Sequence, residues 1–369
     1  MSHTNKKVGI LTMYYTNISH GGLLQAYSLC KKIQEMGYGA EQIKYDYNER
    51  FRKISAVRKL KWFVKKIPQT IMLMLVGDNT EKKYYDYMEE VPHSKLYRAK
   101  DMETINDDYD IFVVGSDQVW NDLYCDDYFY FPNVSKKKIA YAASVGRDNL
   151  TESELKDMGK KTDDFYAISV REKKLQLMFQ EHSKKRVDLV CDPVFLNDSD
   201  FWGSHAVTPR FKEEYVLVYL LGEDRLIKNR AVQLAKKLGK NVITVPNVNL
   251  NANIIELSSS NELCWNVGPK EFLGLIKNAK FILTDSFHCT AFSIIFNRDF
   301  CCFDRGGSEK KMNSRLVSIL SLLDISDRFI DINSVDTVML PSIDYQVLNK
   351  KLSKYKENSE KWLKDALKE

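Results

Sequence analysis

The chain has 369 residues, 44% of them hydrophobic and 28% charged, with a formal net charge of +5. This composition excludes a disordered chain and suffices for two domains or one large one, and the modest charge without an RNA- or DNA-binding motif argues against a nucleic-acid partner. Seven cysteines, an odd number with no C-x-x-C spacing, argue against a disulfide framework or zinc knuckle and for a reducing compartment.

The opening "MSHTNKKVGI" lacks the apolar centre of a signal peptide, so a cytoplasmic location is expected. "KKVGILTMYY" (6–15) reads as a buried strand, "NISHGG" (17–22) as a turn, and "LLQAYSLCKKIQEMG" (23–37) as a helix ended by Gly37. "AEQIKYDY" (40–47) is the next strand, completing a βαβ opening. The run "TIMLMLVG" (70–77) is too short to span a bilayer. Further strands are expected in "YDIFVVGSDQVW" (109–120), "KKIAYAASVG" (137–146), "FYAISVREK" (165–173) and "KRVDLVCDPVFL" (185–196), the last stopped by Asp192-Pro193.

A looser stretch, 197–214, marks a boundary, giving an N-terminal domain over 1–196 and a C-terminal domain over 215–369. The second half restarts with a strand "YVLVYLLG" (215–222), a helix "DRLIKNRAVQLAKKLG" (224–239) and a strand "NVITVP" (241–246). "GPKEFLGLIKNA" (268–279) is a helix with Pro near its start, "KFILTDSFHCTAFSIIF" a strand, sharp turn and helix, and 344–368 a long amphipathic helix. Two successive α/β halves imply two open parallel sheets facing a cleft, with ligands at the carboxyl ends of strands.

That rule selects the residues just after strands. His288 falls near a helix N-terminus, with Asp285 and Ser286 in the same turn. It is either a general acid or base beside a bound anion or a core histidine capping its helix. In "GSDQVWN", Gly115 permits a tight exit from the strand. Ser116, Asp117, Gln118 and Trp120 there suit a sugar, or else cap a helix and fill the core. Arg171 offers a fork for carboxylate or phosphate, or forms a surface ion pair with an acid such as Glu172. The "SHGGLLQA" loop contributes Gly21, Gly22 and Gln25, but it is not G-x-G-x-x-G, and no P-loop occurs. The loop "GGSEKKMNSRL" brings Lys310, Lys311 and Arg315 either to the pocket of His288 or to solvent. No metal-ligand spacing stands out.

Taken in order, "HGGLLQAYSL", "VVGSDQVWN", "IAYAASVG", "ISVRE", "CDPVFL" and "TDSFHCTAFSIIF" resemble the polysaccharide pyruvyl transferase family, from about Val8 to about Asp331. The resemblance implies a GT-B-like arrangement of two Rossmann-like domains. It implies transfer of a pyruvyl group from phosphoenolpyruvate to a sugar of a cell-surface polymer or its lipid-linked precursor, forming a ketal without a cofactor or metal. By the same resemblance His288 is the catalytic candidate and Arg171 and Lys311, or else Lys310, are donor-side residues; Ser286, in the same turn as His288, is placed with them. Gly21, Gly22, Gln25, Ser116, Asp117, Gln118 and Trp120 then fall on the acceptor side. Two positions depart from the family pattern: Cys289 stands where a glycine usually follows the histidine, and Ser19-His20-Gly21 replaces N-aromatic-G. The alternatives are a nucleotide-sugar glycosyltransferase on the same architecture and a non-catalytic saccharide-binding relative.

One segment lies outside these blocks. From Phe51 to Gly77 there is no acidic residue, and in 50–67 Ile54, Val57, Leu60, Val64 and Ile67 recur three or four apart among Lys and Arg. This is the pattern of an interfacial helix on anionic lipid at the inner face of a membrane, or of a helix docked on the protein's own core.

Overall fold

The computed structural model describes residues 6–15, 18–47, 78–222, 225–237, 241–246, 262–304, 313–331 and 341–368. The basic segment 50–67, Lys310 and Lys311 lie outside the described residues.

The strands β1 (Lys7–Leu11), β2 (Gly39–Tyr45), β3 (His93–Tyr97), β4 (Ile111–Val114), β5 (Lys137–Ala143), β6 (Ala167–Val170) and β7 (Val187–Leu189) form one sheet. Its order is β3-β2-β1-β4-β5-β6-β7, and every pairing is parallel. The second sheet holds β8 (Tyr215–Tyr219), β9 (Asn241–Thr244), β10 (Glu262–Leu263), β11 (Phe281–Thr284), β12 (Phe300–Phe303) and β13 (Phe329–Ile330). Its order, β10-β9-β8-β11-β12-β13, is again parallel throughout. In each sheet the order reverses beside the first strand, β1 or β8, and parallel sheets of this kind open a crevice at that point.

The connecting helices are α1 (His20–Glu35), α2 (Thr80–Glu90), α3 (Glu152–Lys161), α4 (Lys173–Gln180), α5 (Ser199–His205), α6 (Arg225–Lys237), α7 (Pro269–Asn278), α8 (Phe287–Ile295), α9 (Ser314–Leu322) and α10 (Tyr345–Leu367). Both faces of each sheet are covered, so the strands read as continuous apolar runs, and their two-residue alternation divides them between cores. Val8, Ile10, Val113 and Tyr141 face one core, whereas Leu11, Phe112, Val114 and Ala140 face another. In the second sheet Leu217, Ile282 and Cys302 join the first of these cores, while Val216, Val218, Leu283 and Cys301 form a third. One hydrophobic core therefore runs through the seam between the two halves.

Two segments pack otherwise than the linear reading expects. The 197–214 stretch, expected as a linker, contains α5, whose Trp202 is fully buried and donates Nε1–H to the Val194 carbonyl at 2.9 Å. The C-terminal helix α10, expected with the second half, lies along the first sheet. Ser359 Oγ accepts the Cys191 N–H at 2.9 Å, Trp362 Nε1 donates to Asp188 at 2.9 Å, and the Trp362 ring lies 6.0 Å from that of Tyr141. Its buried positions Leu348, Leu363, Ala366 and Leu367 fall on one helical face, and its first turns stay with the second half, where Lys351 pairs with Asp324 at 2.5 Å.

Candidate active site

His288 owes its position to three side chains that shape the turn after β11. Thr284 Oγ1 donates to the Tyr219 carbonyl at 2.6 Å and accepts the Ser286 N–H at 3.0 Å. The Asp285 carboxylate accepts N–H from Leu221 at 2.6 Å and Gly222 at 2.7 Å, tying the ends of β11 and β8 together. Ser286 then caps α8 by accepting the Cys289 N–H at 3.4 Å. His288 thus sits in the first turn of α8, where unpaired N–H groups and the helix dipole favour an anion. Cys289 lies within this regular helix, so no left-handed backbone demands the glycine that the family usually has there. Burial pushes its thiol pKa up to about 12, so it stays a neutral core group.

The first sheet delivers the other half of the site. Arg171 leaves the end of β6 and is buried, with Nη2 donating to Asp117 Oδ1 at 2.8 Å and Nη1 donating to Asp192 Oδ2. Its guanidinium stacks on Phe287, 4.8 Å from the ring centroid, and Arg315 of α9 approaches the same ring at 5.8 Å. Arg315 Nη1 also lies 3.7 Å from Asp117 Oδ1. His288 Nε2 is 3.6 Å from Asp192 Oδ2 and has no hydrogen-bond partner among the described residues. Ser116 Oγ donates to the Ala142 carbonyl at 2.8 Å and stands 3.4 Å from Asp192 Oδ2.

Two arginines and a histidine thus enclose two carboxylates. Burial opposes ionisation of Asp117, but Arg171, His288 and Arg315 outweigh it and hold the pKa below the ordinary carboxylate value. Asp192 is likewise lowered: burial is overcome by Arg171 and His288. Arg171 is raised against the opposing effect of burial by Asp192, Asp117 and Glu172. Glu172 goes the other way. Burial raises its pKa despite Arg171 and the Ser144 hydroxyl that donates to it.

The sequence candidates separate on this geometry. His288, Ser286, Arg171, Ser116 and Asp117 come together at the seam. Gly21 joins them from α1: a Cβ built on it would lie 1.9 Å from His288 Nδ1, so the missing side chain is the space the imidazole occupies. Gln25 is fully buried and bridges inside the first half, donating to Thr12 Oγ1 and the Gly22 carbonyl and accepting the Ser116 N–H. A Cβ on Gly22 would meet only ordinary contacts. Gln118 accepts from Asn121 and packs over Gly146, and Trp120 stacks on Tyr130 in the core between the first sheet and its outer helices. His20 is held between Phe272 (4.3 Å) and Tyr84 (4.9 Å), and burial lowers its pKa to about 3.

Two members of the site carry less signal in the sequence. Asp192 reads there only as the stop of β7, although it obeys the same rule of residues after strands. Arg315 reads there either as a cation for the pocket of His288 or as part of a solvated charge run, and in the first turn of α9 it is buried beside Asp117. Among the described residues no group of His, Cys, Asp and Glu is arranged to hold a metal, and no helix is long and apolar enough to cross a membrane.

Residues 20–307 match the family model described as polysaccharide pyruvyl transferase. No curated protein matches the chain. Among solved structures, UGT89C1 of Arabidopsis thaliana superposes with a TM-score of 0.51 at 10% identity, covering 98% of this chain and 100% of that one. The UDP-GlcNAc 2-epimerase of Methanocaldococcus jannaschii superposes with a TM-score of 0.50 at 12% identity, covering 95% and 92%. At such identities the likeness establishes the fold alone, the two-domain α/β arrangement called GT-B.

Proposed function

The chain belongs to the polysaccharide pyruvyl transferase family, and we propose on that premise that it moves the pyruvyl group of phosphoenolpyruvate onto two hydroxyls of a saccharide as a ketal. The observation that carries the reading is the meeting of His288, from one sheet, with Arg171, from the other, on a single oxygen of Asp192. Both lie inside the stretch that matches the family. A small donor bearing a phosphate and a carboxylate fits a seam lined by arginines and a helix N-terminus.

Arg171 is already matched by Asp117 and Asp192. In this reading it organises the site, and the donor's anionic groups are met by Arg315, by the first-turn N–H groups of α8 and by Lys310 or Lys311. Ser286 would serve by capping α8 rather than by direct contact. His288, with Nε2 turned to Asp192, gives the proton of its other ring nitrogen to the methylene carbon of the donor. The first sugar hydroxyl adds to the adjacent carbon and loses its proton. A second hydroxyl displaces phosphate from the same carbon, again losing a proton, so donor and diol become ketal and inorganic phosphate. General acid catalysis of this kind contributes about 10²–10⁴ in rate. The acceptor is a saccharide of a cell-surface polymer or its lipid-linked precursor, made at the inner face of the membrane.

The test uses the full chain. Phosphoenolpyruvate should raise the melting temperature, UDP should not, and a panel of saccharides with free vicinal or 4,6-diols should yield phosphate release with the mass gain of one pyruvyl ketal. His288→Asn should keep the donor-induced shift and lose turnover by about 10²-fold or more. Stabilisation by UDP without any response to phosphoenolpyruvate would instead establish a nucleotide-sugar enzyme. Saccharide binding with no phosphate release for any acceptor would point to a non-catalytic relative.

A further inference from the structure

We propose that Asp192 is the positioning residue for His288, supplied across the seam by the opposite half of the molecule. The proposal rests on the reading of His288 as proton donor and adds what orients it. Asp192 follows β7 of the first sheet, and His288 stands at the head of α8 on the second. Each Asp192 oxygen has a separate task. Oδ1 accepts the Val194 N–H at 3.1 Å, which fixes the carboxylate plane. Oδ2 takes the Arg171 Nη1–H and faces His288 Nε2 at 3.6 Å.

That nitrogen is buried and without a hydrogen-bond partner among the described residues, and a shift of a few tenths of an ångström would make the bond. The other side of the ring rests on Gly21. The imidazole is thus held between one residue of α1 and one that follows β7, both from the first half. Its orientation exists only while the two halves are closed on each other. An acid that served merely as the counter-ion of Arg171 would have no reason to present the same oxygen to the imidazole. Asp117 already serves as a counter-ion from the other side of the guanidinium.

Two measurements on the full chain test this. With ¹⁵N-labelled histidine, the resonance absent from His288→Asn identifies His288. Its neutral ring should carry the proton on Nε2 in the wild type and lose that preference in Asp192→Asn. A wild-type ring with bare Nε2, or a spectrum unchanged by Asp192→Asn, overturns the proposal. The wild-type spectrum alone decides if the variant does not fold. The second measurement is a double-mutant cycle on turnover. Asp192→Asn should lower kcat by about 10- to 100-fold with KM for phosphoenolpyruvate within about threefold, part of what a general acid supplies. In the His288→Asn background it should cost less than about twofold more. Independent, multiplying losses would make Asp192 a structural counter-ion only. If the wild type does not turn over phosphoenolpyruvate at all, the functional reading fails, while the resonance measurement still judges the pairing of Asp192 with His288.

Discussion

Gly21 has no side chain, and His288 uses the space. A methyl group at that position would lie 1.9 Å from Nδ1, inside any tolerable contact, so ring or helix must move. Gly21→Ala should therefore cost about 1–3 kcal/mol of stability, the usual range for overpacking. Turnover should fall by more than that loss of folded protein explains, because it is the imidazole that is displaced. Urea unfolding and phosphate release on the same sample would check this, and unchanged turnover would show that the ring tolerates the shift. At this scale the sequence identifies the residue but not the reason. The glycines after β1 read as acceptor-side positions, whereas Gly21 admits a side chain from the other half of the chain. Gly115 is the contrary case, legible from the start. It leaves β4 at φ 118°, and a Cβ there would strike the Tyr141 carbonyl oxygen at 2.1 Å.

Strands and helices were readable wherever the pattern was local. β1, β4, β5, β8 and β11 announce themselves as apolar runs ended by polar turns, and α10 as a long stripe. What α10 packs on was not readable, because its stripe fits any apolar surface of the right length. The contact has consequences close to the site. Ser359 of α10 satisfies the N–H of Cys191, which immediately precedes Asp192. Ser359→Ala would leave that buried donor unpaired at a cost of about 1–3 kcal/mol. The expected outcome is a lower urea midpoint with an unchanged slope, and Ser359→Thr should restore part of the loss. A midpoint equal to the wild type would mean that the N–H finds another partner.

The two halves meet on a core shared across the seam and on His20, which the first half inserts between Tyr84 and Phe272. Folded His20 stays neutral down to about pH 3, while the unfolded chain takes up a proton near 6.5. Stability from this group is therefore complete above 6.5 and is lost as pH falls towards 3. Asp117 and Asp192, whose pKa values are lowered in the fold, act in the same direction at still lower pH. Between pH 7 and pH 5 the His20 contribution amounts to about 2 kcal/mol. His20→Phe keeps the aromatic stack and removes both ring nitrogens, of which the buried Nδ1 has no partner among the described residues. Its unfolding free energy should fall less between these two pH values. An equal fall in both proteins would assign the acid sensitivity to other groups.

The sequence alone determined the two α/β halves, the family and the positions of His288 and Arg171, because strand periodicity, turn chemistry and motif order are properties of neighbours in the chain. Only the tertiary structure decided that Arg171 is held by two carboxylates, that Trp120 belongs to a core, that the end of α10 returns to the first sheet, that Asp192 and Gly21 attend the imidazole, and that Arg315 faces Asp117. Several of those relations join residues far apart in the chain or on different sheets. They follow from how buried charge must find its partner once the seam has closed, and no local pattern records that choice.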